Sequence, residues 1–402
     1  MLRLVGLCSL SLCLVVSSPA RQTGPSTGQS AAPERTSPIP LIPRSHEERE
    51  RRYETQHRII LDVRVTDAYG NAVSGLKQDD FSLFSNGQAQ KLVTFRAIEG
   101  TDTIAPARVM LMLDAVNNGP GSINDDRREI EKFLRTARGS FASPTSIAIL
   151  SASGVRETTE SRNPEALVAE LHALTKDTHP FACNEEDNAS SQLPPGATLG
   201  MPRLPSAVGG SRRKQEAACL NQRFQLSITS LDELAEREIA IPGRLILIWI
   251  GPGWPRLADR DFAPDSAALK QNFFDYLVSL STAIREAQIT LDSVFTPNLF
   301  RTAETATDQD RTFFDGVPAE NETTAGSLSL QALAHQSGGL VLSQGRDVGA
   351  QIGQCAADAQ SYYAMSFESP AAAQPAEFHS LHITVKKPEL SVRSNTMYYA
   401  QP

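Results

Sequence analysis

The run Arg108-Val-Met-Leu-Met-Leu-Asp114 constrains this chain more than any other stretch. Five consecutive apolar residues ending abruptly in an acid carry no polar alternation, as a strand buried on both faces of a parallel sheet requires. The acid then stands at the strand's carboxyl end, where open α/β sheets place their ligand crevices. Ala115-Val-Asn117-Asn118 follows it. A second such run, Arg244-Leu-Ile-Leu-Ile-Trp-Ile250, ends in Gly251-Pro-Gly253. With helical patterns between the two, the spacing predicts a doubly wound, mostly parallel sheet.

The intervening sequence keeps that alternation. Ile130, Phe133, Leu134 and Ala137 stripe a helix over about 124–138, and Ser146–Leu150 is the next buried strand. Asn163-Pro164-Glu165 offers a cap, a first-position proline and a first-turn acid to a helix carrying Leu167, Val168, Leu171 and Leu174. Phe224, Ile228, Leu231, Leu234 and Ile239 mark a long helix that stops before Pro242-Gly243. A further amphipathic helix runs from Leu269 to Ile284, then a strand over Ile289–Phe295, a short helix over Leu328–His335 and a last strand over Leu340–Leu342. Residues 105–350 therefore read as one α/β domain.

Both flanks are β. Ile59, Leu61, Val63 and Val65 alternate with more polar partners, Phe81–Phe84 is a short strand, and Asn86-Gly87 is a hairpin signal leading into Leu92–Phe95. The tail offers Tyr362–Phe367, Phe378–Val385 and Leu390–Tyr399. Each half is too small to bury a core alone. Residues 56–100 and 361–402 are therefore expected to form one discontinuous antiparallel β-sandwich, with the α/β domain inserted in it.

The first twenty residues have the form of an export signal: Arg3, an apolar stretch from Leu4 to Val16, and the small residues Ser18-Pro-Ala20. That stretch is too short to span a bilayer as a helix. Residues 21–55, rich in Pro, Ser, Thr and charge, read as a disordered linker. The expectation is a secreted or periplasmic protein with no transmembrane segment in its mature chain. Cys183 and Cys219 bracket a loop expected over 180–220, with acids at Glu185-Glu-Asp187 and bases at Arg212-Arg-Lys214 read as solvated loop. In an oxidising compartment the pair is expected to form a disulfide, with two unpaired thiols as the alternative. Cys355 reads as a buried small residue. A formal net charge of -8 argues against a nucleic-acid partner, since phosphate contacts need a basic face.

Chemical motifs are mostly absent. There is no G-x-S-x-G elbow, phosphate-binding loop, complete dinucleotide fingerprint or H-E-x-x-H. His379 and His382 fall on opposite faces of one strand, which suits no shared metal. Sequons stand at Asn188 and Asn321. What remains is the crevice candidate Asp114, Asn117 and Asn118. Its acid either serves a ligand or caps the amides of the loop that follows it.

A short acid-polar loop in that place resembles the metal-ion-dependent adhesion site of von Willebrand factor type A domains, a Rossmann-like α/β fold. There an Asp and hydroxyl residues at +2 and +4, with a Thr and a second Asp from later loops, hold a divalent cation such as Mg²⁺. This chain has Val116 at +2, Asn118 at +4 and Gly251 where the second Asp is expected; Thr158 or Thr159 supplies the threonine. The resemblance thus implies a degenerate site, with Asp114 and Asn118 as its metal ligands and Thr159 joining the crevice. The flanks extend the resemblance. Val65-Thr-Asp67, Gly70, Asp80-Phe81, Leu333-Ala-His-Gln-Ser-Gly-Gly339, Tyr362-Tyr363 and Ile383-Thr-Val-Lys-Lys-Pro388 are similar to the VWFA-related proteins abundant in Acidobacteria. That family implies a secreted, non-enzymatic protein that mediates adhesion or binds a protein or cell-surface ligand. The alternative is a scaffold without metal-dependent binding, acting through the β-sandwich or the 180–220 loop.

Overall fold

The computed structural model describes residues 57–99, 107–137, 139–176, 178–179, 181–183, 211–255, 267–296, 313–343 and 347–402. The expected export signal, the linker, the acids at 185–187 and the sequon at Asn188 lie outside the described residues.

The two apolar runs are strands of a six-stranded sheet. In chain order its members are β5 (Arg108–Asp114), β6 (Thr145–Ser151), β7 (Gly154–Glu157), β8 (Leu245–Gly251), β9 (Ile289–Phe295) and β10 (Val341–Leu342), and their spatial order is β10-β9-β8-β5-β6-β7. All neighbours pair in parallel except the edge strand β7, which runs antiparallel to β6. β5, β8 and β9 are buried along their whole length, which is why no alternation shows in the first two. The chain first winds from β5 toward β6, then returns past β5 to β8, so the winding reverses between β5 and β8. That reversal point is where an open sheet opens its crevice.

Helices cover both faces. α1 (Pro120–Thr136), α2 (Pro164–Thr175) and α6 (Val348–Ala357) pack with Val109, Leu111, Leu113, Ile246, Ile248 and Ile250. α3 (Ser211–Glu238), α4 (Ala267–Glu286) and α5 (Leu330–Gln336) pack with Met110, Met112, Leu245, Leu247 and Trp249. Asn163 caps α2 as its sequence predicts, its side chain accepting from the amides of Glu165 and Ala166. α3 begins at Ser211, so Arg212-Arg-Lys214, expected in the 180–220 loop, lies in the first turns of a helix.

The remaining strands form two four-stranded antiparallel sheets. One has the order β13-β1-β11-β4 and the other β14-β12-β2-β3, from β1 (Arg58–Thr66), β2 (Phe81–Ser85), β3 (Gln88–Gln90), β4 (Leu92–Glu99), β11 (Ser361–Glu368), β12 (Glu377–Val385), β13 (Ser391–Arg393) and β14 (Met397–Ala400). Both ends of the chain contribute strands to each sheet. The alternating residues Ile59, Leu61, Val63 and Val65 meet Tyr363, Met365, Phe367, Leu83, Leu381, Ile383 and Tyr398 in one shared core. The tail expected as a single strand over Leu390–Tyr399 divides into β13 and β14, one in each sheet. β14 is buried on both faces: Tyr398 and Ala400 enter the β core, while Met397 and Tyr399 enter the core under α4.

A charge cluster joins the six-stranded sheet to the β13-β1-β11-β4 sheet. Asp358, just past α6, pairs with Arg64 of β1 at 3.0 Å and Arg393 of β13 at 2.6 Å. Arg244, before β8, donates to Thr290 Oγ1 at 2.9 and 3.1 Å, stands 3.7 Å from Asp62 and lies over the Tyr362 ring.

Candidate functional site

Asp114 ends β5 at the reversal point, and strand register decides what surrounds it. Its side chain leaves the same face as Met110 and Met112, and Met112 pairs with Trp249 on β8. The indole therefore lies beside the carboxylate, and Trp249 Nε1 donates to Asp114 Oδ2 at 3.0 Å. Asn117 Nδ2 donates to the same oxygen at 2.7 Å. Oδ1 accepts from the amides of Val116 at 3.0 Å and Asn117 at 2.9 Å. Four donors fill the positions a carboxylate offers. Burial raises the Asp114 carboxyl above its ordinary range, against the lowering effect of these donors.

The rest of the loop is spent in the same way. Asn117 Nδ2 also donates to Ser227 Oγ of α3 at 2.9 Å. Asn118 Nδ2 donates to Asp126 Oδ2 of α1 at 2.6 Å, and Thr296, just past β9, donates to that oxygen at 3.0 Å. Burial raises the Asp126 carboxyl to about 7, opposed by Thr296 and Asn118 and assisted by the nearby charges of Asp114 and Asp125. Asn118 Oδ1 is buried and accepts no hydrogen bond among the described residues. Val116 is fully buried in the core beneath α3 and α4.

Asp114, Asn117 and Asn118 thus stand together, and Thr159 does not join them. After β6 the chain turns back along it as β7, so the amide of Thr158 bonds Ile147 O, three residues upstream of the Leu150 that pairs with Asp114. At strand rise that is about 10 Å from the crevice. The Thr159 hydroxyl instead meets Glu170 of α2 on the surface. Gly251 has a steric reason. A β-carbon there stands 2.8 Å from that of Asp114, so the acid implied at this position has no room. Among the described residues, no group of three or more His, Cys, Asp and Glu side chains comes together as a metal cage.

Cys183 and Cys219 are joined by a disulfide, their Cα atoms 5.4 Å apart. Cys355 is a buried free thiol. The β core holds an arrangement that no sequence motif signals. Ser85 Oγ lies 3.2 Å from His379 Nδ1, and His379 Nε2 lies 3.2 Å from Glu377 Oε1. That is the order of nucleophile, base and acid. Ser85 is only 2% exposed, shares its hydroxyl with Tyr398 at 3.4 Å, and the Tyr398 ring stacks on the imidazole at 5.0 Å. With its serine covered and His379 Nε2 making no hydrogen bond among the described residues, the trio is a polar cluster at the border of the β core.

The fold and crevice define a mixed α/β protein with a mostly parallel six-stranded sheet and two antiparallel sheets. Neither a family model nor a curated protein matches the sequence. Among solved structures, the human COPII-coat protein Sec24c is similar at 9% identity with a TM-score of 0.34, over 84% of this chain and 48% of that one. This chain spans about half the length of that protein. So shallow a likeness carries no functional argument. No helix among the described residues is long and apolar enough to cross a membrane.

Proposed function

We propose that the chain is a secreted, non-enzymatic binding module, a von Willebrand factor A-like domain inserted in a discontinuous antiparallel β-sandwich. In this reading it engages a protein or cell-surface ligand at the crevice above Asp114, where the metal-ion-dependent site has degenerated. The observation that carries the reading is the Asp114 carboxylate, held at the sheet's reversal point with all four acceptor positions filled by the chain's own donors. A divalent cation there would have to displace indole and amide donors and would gain one carboxylate and the single neutral oxygen of Asn118. Mg²⁺ surrenders its waters reluctantly to so poor a ligand set.

The second reading, a scaffold acting through the β-sandwich or the 180–220 loop, draws support from the burial of the whole Asp114–Asn118 loop. Calorimetric titration of the full chain with Mg²⁺ and Mn²⁺ separates the readings. A degenerate site gives binding no tighter than about millimolar that is lost in Asn118→Ala. Silence throughout that range favours the scaffold, and micromolar binding contradicts both.

A further inference from the structure

The crevice is closed. Asp114, Ala115 and Val116 are fully buried, Asn118 is 1% exposed and Asn117 is 7% exposed. Asp126 of α1 and Thr296 close it over Asn118, and one helix face and one short segment close it over Ala115–Asn117. On α3, Cys219, Arg223 and Ser227 recur every four residues and so share a face. Ser227 holds Asn117, and Cys219 holds Cys183. Arg223, between them, holds both the loop and the segment: it donates to Val116 O and, at 2.9 Å, to Phe181 O, with its guanidinium 5.5 Å from the Phe181 ring centre. The Phe181 amide in turn donates to Ala115 O at 3.3 Å.

We infer that residues 181–183 are an autoinhibitory strap over the crevice and that the Cys183–Cys219 disulfide is its lock. The inference rests on the reading of the crevice as the binding surface. Only the disulfide makes the closure covalent. A dithiol reductant delivers two electrons and two protons to the Sγ–Sγ bond, which breaks into two thiols while the reductant closes its own disulfide. Among the described residues the strap is then held by the Phe181 amide, by Arg223 and by the packing of the Phe181 ring on the core, none of them covalent. Those contacts exchange with water, so closure becomes an equilibrium that the crevice leaves part of the time.

The chain has two tryptophans, and both report on this place. Trp249 donates to Asp114, and Trp254 packs on it edge to face, with ring centres 5.5 Å apart. The test is acrylamide quenching of tryptophan emission in the full chain, oxidised and after dithiothreitol, with far-UV circular dichroism recorded alongside. The strap predicts a quenching constant that rises several-fold on reduction with the dichroism unchanged. Cys183→Ser should show the raised constant without reductant and respond no further to it. An unchanged constant overturns the proposal. So does a rise accompanied by loss of dichroism, which would make the bridge a general staple. Quenching needs no ligand, so an unchanged constant removes the strap and leaves the crevice reading standing. Failure of the cation titration removes that reading and with it the strap's autoinhibitory role, while the redox-dependent closure is decided by the quenching alone.

Discussion

At the scale of single residues, the site turns on what can fit beside Asp114. Its place was legible because the apolar run stops there, and a buried strand ending in an acid has few other meanings. Its partners were not. Trp249 lies 135 positions away and Ser227 lies 110 positions from Asn117, and only strand register and helix face bring them in. Thr159 misled because a threonine shortly after a strand carries no mark of the hairpin that takes it back down the sheet. Gly251 was readable only as a missing acid, whereas its contact with Asp114 makes glycine a requirement. Gly251→Ala should therefore destabilise the protein by about 1–3 kcal/mol through overpacking, read as a lower denaturant midpoint. An unchanged midpoint would mean that Asp114 is free to move aside, contrary to its four hydrogen bonds.

Between elements, Asp126 is the tie. From α1 it receives Asn118 of the crevice loop and Thr296 beyond β9, both on one oxygen. The unfolded side chain releases its proton near 3.8, whereas the folded one keeps it to about 7. Between those values the folded state binds more protons, so stability falls as pH rises. The contribution is fully present below about pH 4 and is lost through the folded value. From pH 5 to pH 8 the loss is about 2–3 kcal/mol. Urea unfolding at both pH values should show that extra decline in the wild type and not in Asp126→Asn, and equal declines in the two proteins would refute the tie. Element by element, the sequence was most informative where burial is one-sided or complete: the period-2 residues of β1, the unbroken runs of β5 and β8, the capped start of α2. It was least informative where an element serves two layers. β14 hides both faces, so its four residues carry no alternation to separate it from β13.

Across the whole molecule, the six-stranded sheet and the β13-β1-β11-β4 sheet meet around Asp358, which is 3% exposed and pairs with two guanidinium groups of the latter sheet. Asp358→Ala leaves the buried Arg64 without a carboxylate and should cost about 3–5 kcal/mol, measured as the free energy of chemical unfolding. A loss under about 1 kcal/mol would mean that the cluster is hydrated in solution. The alternating strands at both ends were enough to suggest a common sheet, because neither could bury a core alone. This charge cluster gave no signal, since its members are scattered from Asp62 to Arg393. The most direct test of the account concerns Asp114 as an internal cap. Thermal melting of the wild type and Asp114→Ala, each in Mg²⁺ and in excess chelator, separates a cap from a ligand. A cap predicts that the variant loses about 1–3 kcal/mol to unsatisfied donors equally in both buffers, with the wild-type melting temperature indifferent to metal. A wild-type melting temperature that climbs with micromolar Mg²⁺ or Mn²⁺, and stops climbing in Asp114→Ala, would contradict it.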